Sequence, residues 1–200
     1  MCGNPVNEIK QFFDSKADKW DEICTYNQDR ITALVTLAGI QRGSRVADIA
    51  CGTGVLLREI LSRNPDSVLG VDLSDAMITR AREKFSDPRL RLLAADLFDL
   101  QETGFDSAII FNAYPHFQDK AKLARQTANM LKENGRFMVC HCDSRHIINS
   151  CHVGKAVSQI SWPLRPAAEE AAEFALYFDI DILADTPEIY FFSGIKKAAQ

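Results

Sequence analysis

The sequence predicts a doubly wound α/β fold: a seven-stranded, mostly parallel sheet with an antiparallel last strand and an N-terminal helical cap. From Ser44 onward, short β-rich runs alternate with stretches of helical periodicity. The chain then continues, between residues 176 and 197, with two apolar runs around a short turn. Strands joined through helices form right-handed βαβ units around a parallel sheet that is covered on both faces. A final strand pair adds an antiparallel edge to such a sheet.

The first forty residues are predicted to be helical. We expect residues 1–43 to form a cap or lid on residues 44–200, which form one structural unit. The stretch NEIKQFFDSKADKWDEI has a single apolar face, and QDRITALVTLAGI continues with a second helix. The members of the first apolar face are Ile9, Phe12, Phe13, Ala17, Trp20 and Ile23.

Five strands and three helices alternate in the body of the chain. The predicted strands are RVADIA (45–50), SVLGVD (67–72), LRLLAAD (90–96), FDSAIIFNA (105–113) and RFMVCHC (136–142). The predicted helices are GVLLREILSR, DAMITRAREKF and QDKAKLARQTANMLKENG. Ser74 or Asp75 can cap the second helix, and Gly135 is the expected C-terminal signal of the third.

Composition excludes several classes of protein. The 200 residues suffice for one well-cored domain, and the net charge of -4 with a pI near 5.6 argues against a dedicated nucleic-acid surface. The N-terminus lacks a signal-peptide apolar region, and the longest apolar run, ALVTLAGI, is too short to cross a bilayer. The six cysteines are scattered without a CxxC motif. We therefore expect a cytoplasmic protein with reduced thiols and no membrane insertion.

A glycine turn follows the first predicted strand, in VADIACGTG. Gly52 and Gly54 let the backbone pass close to a ligand. Leu57 stands where the dinucleotide-binding fingerprint has its third glycine. Asp48, just before the turn, would repel a pyrophosphate and would suit a cationic amino group.

Two more acids end the next two strands. Asp72 lies where a carboxylate can accept both hydroxyls of a ribose. Asp96, between Ala95 and Leu97, could accept a hydrogen bond from an adenine amino group. An amino acid, a ribose and an adenine without phosphate describe S-adenosylmethionine (SAM).

At this point the chain resembles the class I SAM-dependent methyltransferases, which have a Rossmann-like fold. VADIACGTG, VLGVDLSDAMI, AADLFDL and FDSAIIFNAYPHF resemble four of their motifs in order, and FFDSKADKWD resembles the lid helix of the quinone-methylating, small-molecule branch. The resemblance implies a transferase of class EC 2.1.1 with SAM as cofactor and S-adenosylhomocysteine (SAH) as product. The cofactor-binding residues it implies are Trp20, Asp48, Ala50, Cys51, Gly52, Gly54, Asp72, Leu73, Met77, Ala95, Asp96, Leu97 and Asn112.

The resemblance also implies roles within this set. Asp48 and the glycine turn would hold the methionine end, while Leu73 and Met77 would sandwich the base. Asn112 would lie beside the methyl group, and Trp20 would close over the cofactor. Trp20 on an amphipathic helix is equally explained as a core residue. Cys51 is better explained as a small packing residue than as a nucleophile.

The stretch VCHCDSRHIINSCH (139–152) has two interpretations, a metal site and a pocket wall. Strand alternation puts His141 on the face opposite Cys140 and Cys142, so these three cannot converge on one ion. An open site of His141, His146 and His116 is geometrically feasible but has no further support. We therefore predict no metal ligand.

A pocket wall is the preferred interpretation. His141 ends the fifth strand and is the first candidate for a general base, because histidine titrates near neutral pH. His116, which follows the fourth strand, and Tyr114 join it as candidate catalytic residues. A structural histidine bonded to backbone explains His141 equally well.

The predicted function is methyl transfer from SAM to a small-molecule acceptor by in-line displacement. The acceptor could be aromatic or quinone-like, a thiol or an amine, and the chain could form a homodimer. One alternative is a non-catalytic SAM-binding or metal-responsive protein that uses the His/Cys cluster at 140–152. A second is an RNA methyltransferase, which the acidic pI disfavours.

Overall fold

The computed structural model describes residues 5–153 and 156–198, so the first four residues of the predicted cap lie outside it. Within these residues the sheet has seven strands: β1 (Arg45–Ile49), β2 (Ser67–Asp72), β3 (Leu90–Ala94), β4 (Phe105–Phe111), β5 (Leu131–His141), β6 (Phe178–Asp185) and β7 (Tyr190–Lys196). The α-helices are α1 (Pro5–Asp14), α2 (Trp20–Ile23), α3 (Gln28–Leu37), α4 (Leu57–Ser62), α5 (Asp75–Lys84), α6 (Lys120–Met130), α7 (Arg145–His152) and α8 (Ala167–Phe174).

The strand order is β3-β2-β1-β4-β5-β7-β6. Strands β1 to β5 pair in parallel, and β7 runs antiparallel to both of its neighbours, which confirms the predicted fold. The chain winds outward from β1 to β3 and then returns to place β4 on the other side of β1. This reversal opens a crevice beyond the carboxyl ends of β1 and β4, where ligands bind in doubly wound sheets.

Two apolar layers cover the sheet, because side chains alternate along each strand. In β5, Phe137 and Val139 belong to the layer that α6 and α8 cover. Met138 and Cys140 belong to the layer that α3 and α4 cover. The predicted two-faced pattern of this strand is therefore confirmed.

The predicted continuous helix over NEIKQFFDSKADKWDEI (7–23) is wrong, because the chain turns between Asp14 and Trp20. A 3-10 helix, Ala17–Lys19, lies in between, and Ile23 is 59% exposed instead of sharing the buried face. The carboxylate of Asp14 accepts hydrogen bonds from the Ser74 hydroxyl and the Ala76 backbone N–H. Contacts with α5 therefore outweigh the local preference for a continuous helix.

The predicted helix end at Gly135 is also wrong. Helix α6 ends at Met130, and Leu131 already pairs with Phe105 of β4. The left-handed conformation in this segment belongs to Asn134, with φ of 60°, rather than to Gly135. Pairing resumes at Arg136, so sheet hydrogen bonds replace the last predicted turn of the helix.

Candidate active site

A cavity of about 380 Å³ lies at the switch point of the sheet, between the strand ends and the N-terminal segment. This volume is within the range of about 300–1,000 Å³ that is typical of small-molecule sites. The strand ends contribute eleven of the lining residues, which are Ala50, Cys51, Gly52, Asp72, Leu73, Ala95, Asp96, Leu97, Phe111, Asn112 and Ala113. We call residues 5–24, which cover it, the lid.

The glycine turn forms the floor of the cavity beside β1. A Cβ on Gly52 would have the indole nitrogen of Trp20 as its nearest described atom, at 3.9 Å, so the turn presents bare backbone to the cavity. Gly54 has a different role, because a Cβ there would lie 2.7 Å from a Leu57 methyl carbon. Both have positive φ, as does Ala50, where an L side chain makes that conformation costly.

The carboxylate of Asp72 is held in place at the end of β2. The backbone N–H of Gly52 donates to its Oδ2 at 2.9 Å, and that of Ser74 donates to its Oδ1 at 2.8 Å. Burial raises the pKa of Asp72, and these two hydrogen bonds oppose the rise. Each oxygen keeps a second lone pair, so the group can accept the two hydroxyls of a ribose.

Asp96 and Asn112 line the cavity from β3 and β4. Asp96 accepts a hydrogen bond from the N–H of Phe98 through Oδ1, at 2.9 Å. Asn112 has φ of 50°, and its side-chain oxygen accepts from the N–H of Cys142 at 3.1 Å. Its left-handed backbone is a second costly conformation at the switch point, opposite that of Ala50.

Asp48 lies beneath the turn rather than in the cavity lining. It is 1% exposed, and its Oδ2 has no hydrogen-bond partner among the described residues. Burial, together with the nearby charge of Asp72, raises the pKa of Asp48 to about 8. A buried carboxyl of this kind is neutral at pH 7 in the ligand-free protein.

His116 is the predicted catalytic residue that the structure places in the cavity wall. Its Nδ1 is 3.1 Å from the carbonyl oxygen of Ile160 and 3.1 Å from the hydroxyl of Ser161. The carbonyl can only accept, so Nδ1 carries the proton and Nε2 keeps a lone pair. Burial lowers the pKa of His116 to about 4 and keeps the ring neutral.

The structure places His141 and Tyr114 outside the lining of the cavity. His141 is 2% exposed and packs edge-to-face on Tyr190, and burial lowers its pKa to about 3. The Tyr114 hydroxyl donates to the carboxylate of Glu170 at 2.9 Å, in the core. The placement of His141 follows from strand alternation, which points it into the layer beneath α8.

The histidines do not form a metal centre. Across residues 5–153 and 156–198, no group of three His, Cys, Asp or Glu side chains is arranged to hold an ion. The feasible open site of His141, His146 and His116 therefore has no support in the structure. Cys51 is buried and packs beside Gly70, as expected for a small core residue.

Sequence reasoning missed much of the aromatic wall. Phe13 of the lid packs edge-to-face on the ring of His116, with 4.9 Å between centroids, and on Trp20 at 5.6 Å. Trp162 reaches the cavity because its backbone N–H donates a hydrogen bond to the carbonyl of Pro115 at 2.9 Å. The spacing of Phe13 on the apolar face of α1 was a usable signal, but Trp162 lies in a loop without periodicity.

A glycine turn without a phosphate-binding pattern, followed by acids at the next two strand ends, is the arrangement expected of a nucleoside-cofactor site in a doubly wound sheet. Comparison with known proteins agrees with this class. A family model described as a methyltransferase domain matches residues 46–135. Demethylmenaquinone methyltransferase of Corynebacterium kroppenstedtii is 32% identical over 140 residues, which cover 66% of this chain and 59% of that protein.

Solved structures share the fold at low identity. A methyltransferase of Haloferax volcanii, solved in complex with the Trm112 activator, superposes with a TM-score of 0.76 at 20% identity, over 93% of this chain and 98% of that one. Magnesium protoporphyrin IX methyltransferase from Synechocystis, with bound SAM, gives 0.71 at 16% identity, over 98% and 99% of the two chains.

These findings show that residues 46–135 match a methyltransferase domain and that the chain has the fold of SAM-dependent methyltransferases. The matched segments span less than two thirds of the length of the first curated relatives. No helix among the described residues is long and apolar enough to span a bilayer.

Proposed function

We propose that the protein transfers the methyl group of SAM to a small planar acceptor. The observation that carries the proposal is the composition of the cavity. One side has the acids and bare backbone that suit a nucleoside, and the other has aromatic side chains with a neutral histidine. SAM supplies an activated methyl group on a sulfonium.

The cofactor side is assigned to five residues. Asp72 would accept the ribose hydroxyls, because its orientation is fixed by backbone N–H groups. Asp96 would accept from the adenine amino group, and Leu73 and Met77 of the cavity lining would sandwich the base. The bare backbone at Gly52 would take the methionine end. The cavity therefore fits SAM from its own donors and acceptors.

Asp48 would assist the methionine end from below the turn. Its carboxyl is buried two residues before Ala50 and does not reach the cavity lining. A cationic amino group above the turn would favour the ionised form of Asp48 and lower its pKa. We therefore propose an effect through charge rather than through direct contact.

The acceptor side is assigned to His116 and the aromatic wall. The protonated Nδ1 faces the Ile160 carbonyl, so Nε2 can accept a hydrogen bond or a proton from an acceptor. Phe13, Trp20 and Trp162 would bound a flat ring and exclude water. Alignment of this kind supplies much of the acceleration of an in-line displacement.

A quinone-like or other aromatic acceptor fits this wall best. The relative from Corynebacterium is named for a menaquinone precursor, which agrees with an aromatic acceptor for this chain. The described cysteines are free thiols, which supports the reducing cytoplasm as the location we propose. We propose a monomer or homodimer that acts without nucleic acid.

The test is transfer of labelled methyl from SAM into a fractionated metabolite extract, with and without a chelator. We expect one labelled small aromatic product in both arms, because no three His, Cys, Asp or Glu side chains among the described residues are grouped as metal ligands. Saturating SAM binding without transfer into any fraction would contradict catalysis, and transfer that the chelator abolishes would contradict the metal-free site.

His116→Gln then tests the acceptor side. We expect a fall in kcat of about 10²-fold if Nε2 accepts a proton, with little change in SAM affinity. The wild-type rate should show no His116 titration between pH 5.5 and 8, because its pKa is about 4 and activity falls only as the pH approaches that value. His146→Gln, at a histidine outside the cavity lining, is the matched control.

A further inference from the structure

Two acids of the lid bond the two turns that form the cofactor side of the cavity. Asp14 accepts a hydrogen bond from the hydroxyl of Ser74 at 2.6 Å. Asp21 accepts from the hydroxyl of Thr53 at 2.5 Å. Ser74 is fully buried in the turn after β2, and Thr53 is 2% exposed in the glycine turn after β1.

Asp14 is connected to Asp72 through a single residue. The N–H of Ser74 donates to Oδ1 of Asp72 at 2.8 Å, and its hydroxyl donates to Asp14. The same hydroxyl accepts from the N–H of Met77 at 3.0 Å and caps α5. Asp14 thus holds Ser74 in place, and the backbone N–H of Ser74 orients the carboxylate of Asp72, which is the proposed acceptor of the ribose hydroxyls.

Asp21 is connected to the glycine turn in the same way. Thr53 lies between Gly52 and Gly54, so its hydrogen bond with Asp21 holds the turn from the lid side. The other oxygen of Asp21 pairs with Lys84 at the end of α5, at 2.7 Å. Asp21 therefore bridges the turn and the helix behind it.

A third lid acid provides a contrast. Asp18 pairs with Arg80 on the exposed side of α5 at 2.7 Å, and its side chain is 78% exposed. This ion pair tethers the lid but does not reach a cofactor turn. A substitution of Asp18 therefore weakens attachment of the lid without removing a hydrogen bond to either turn.

We propose that Asp14 and Asp21 are positioning residues for the cofactor, Asp14 for the ribose through Ser74 and Asp72, and Asp21 for the methionine end through Thr53. The inference rests on the proposed function, because it takes SAM as the occupant of the cavity. Lid closure and cofactor orientation are then one event, since the hydrogen bonds that close the lid also set the turns.

The test measures dissociation constants of SAH and of methylthioadenosine, which has the adenosine part without the amino acid, by calorimetry. Asp14→Ala should weaken both ligands about tenfold, and Asp21→Ala should weaken SAH about tenfold while leaving methylthioadenosine within about twofold. Asp18→Ala, the matched control, should leave both within about twofold.

The asparagine variants separate positioning from charge. Asp14→Asn and Asp21→Asn keep an amide oxygen that can accept from Ser74 or Thr53, and they lose the ion pairs with Lys10 and Lys84. We expect both to bind SAH within about threefold of wild type, because the hydrogen bond and not the charge carries the effect.

Three results would overturn the inference. Equal loss for all three alanine variants would show general lid attachment, and asparagine variants as weak as alanine variants would show a charge effect. Loss of both ligands alike in Asp21→Ala would remove the assignment to the methionine end. Failure of the wild-type protein to bind SAH would instead overturn the proposed function itself.

Discussion

Replacing Asp48 by Asn should change how the stability of the ligand-free protein depends on pH. The Asp48 carboxyl is 1% exposed, and one oxygen has no hydrogen-bond partner among the described residues. Burial, aided by the charge of Asp72, raises its pKa to about 8. An asparagine fills nearly the same volume without the ionisation.

The direction of this pH dependence follows from the raised pKa of Asp48. Between pH 4 and pH 8 the folded protein keeps a proton on Asp48 that the unfolded chain has lost, so the free energy of unfolding falls as the pH rises. A carboxyl whose pKa is raised from about 4 to about 8 corresponds to about 6 kcal/mol, at about 1.4 kcal/mol for each pH unit. Relaxation of the structure around the ionised carboxylate reduces this loss of stability, and we expect the free energy of unfolding to fall by about 3 kcal/mol.

The assay is urea unfolding of wild type and Asp48→Asn without ligand at pH 5, 6, 7 and 8.5. The variant should gain stability over wild type as the pH rises, by about 3 kcal/mol at pH 8.5 relative to pH 5. Asp106→Asn is a control with a flat response, because Arg45 and Lys132 bond Asp106 and lower its pKa, so that carboxyl is ionised in both the folded and the unfolded state above pH 5. Parallel curves for wild type and Asp48→Asn would refute the reasoning.

Three further predictions follow from the site and core. Asp72→Ala should weaken SAH binding about 30-fold in calorimetry, since charged hydrogen bonds contribute about 1.5–3 kcal/mol, and unchanged affinity would contradict the ribose assignment. Gly54→Ala should lower the free energy of unfolding by about 1–3 kcal/mol, because its Cβ would lie 2.7 Å from Leu57, and a variant of wild-type stability would disprove the steric conflict. Tyr114→Phe should cost about 1–2 kcal/mol in urea unfolding by removing the hydrogen bond to Glu170 while SAH affinity stays the same; a selective loss of affinity would place Tyr114 in the site.

The sheet and the start of α5 were predictable because local signals agree with tertiary packing. Strand β2 spans the predicted residues 67–72, and Ser74 caps α5 as one of two predicted candidates. The break at Asp14 was not predictable from periodicity, because it depends on hydrogen bonds to residues sixty positions away. The end of α6 at Met130 likewise depends on pairing with β4.

The proposed cofactor side of the cavity has clearer signals in the sequence than the proposed acceptor side. Asp72 and Asp96 lie at strand ends, and topology alone brings such positions to one edge of a parallel sheet. His141 ends a strand as well, yet strand alternation directs it into the core. Trp162 could not be predicted, since its position depends on a loop hydrogen bond to Pro115.

Tryptophan fluorescence tests the central claim most directly, because both tryptophans of the chain, Trp20 and Trp162, line the cavity. Titration with SAH should change the emission saturably. Trp162→Phe should keep the part of the signal that Trp20 reports, and Asp72→Ala should shift the midpoint to higher concentration. Calorimetric binding of SAH without any change in tryptophan emission would place the cofactor elsewhere and contradict the account.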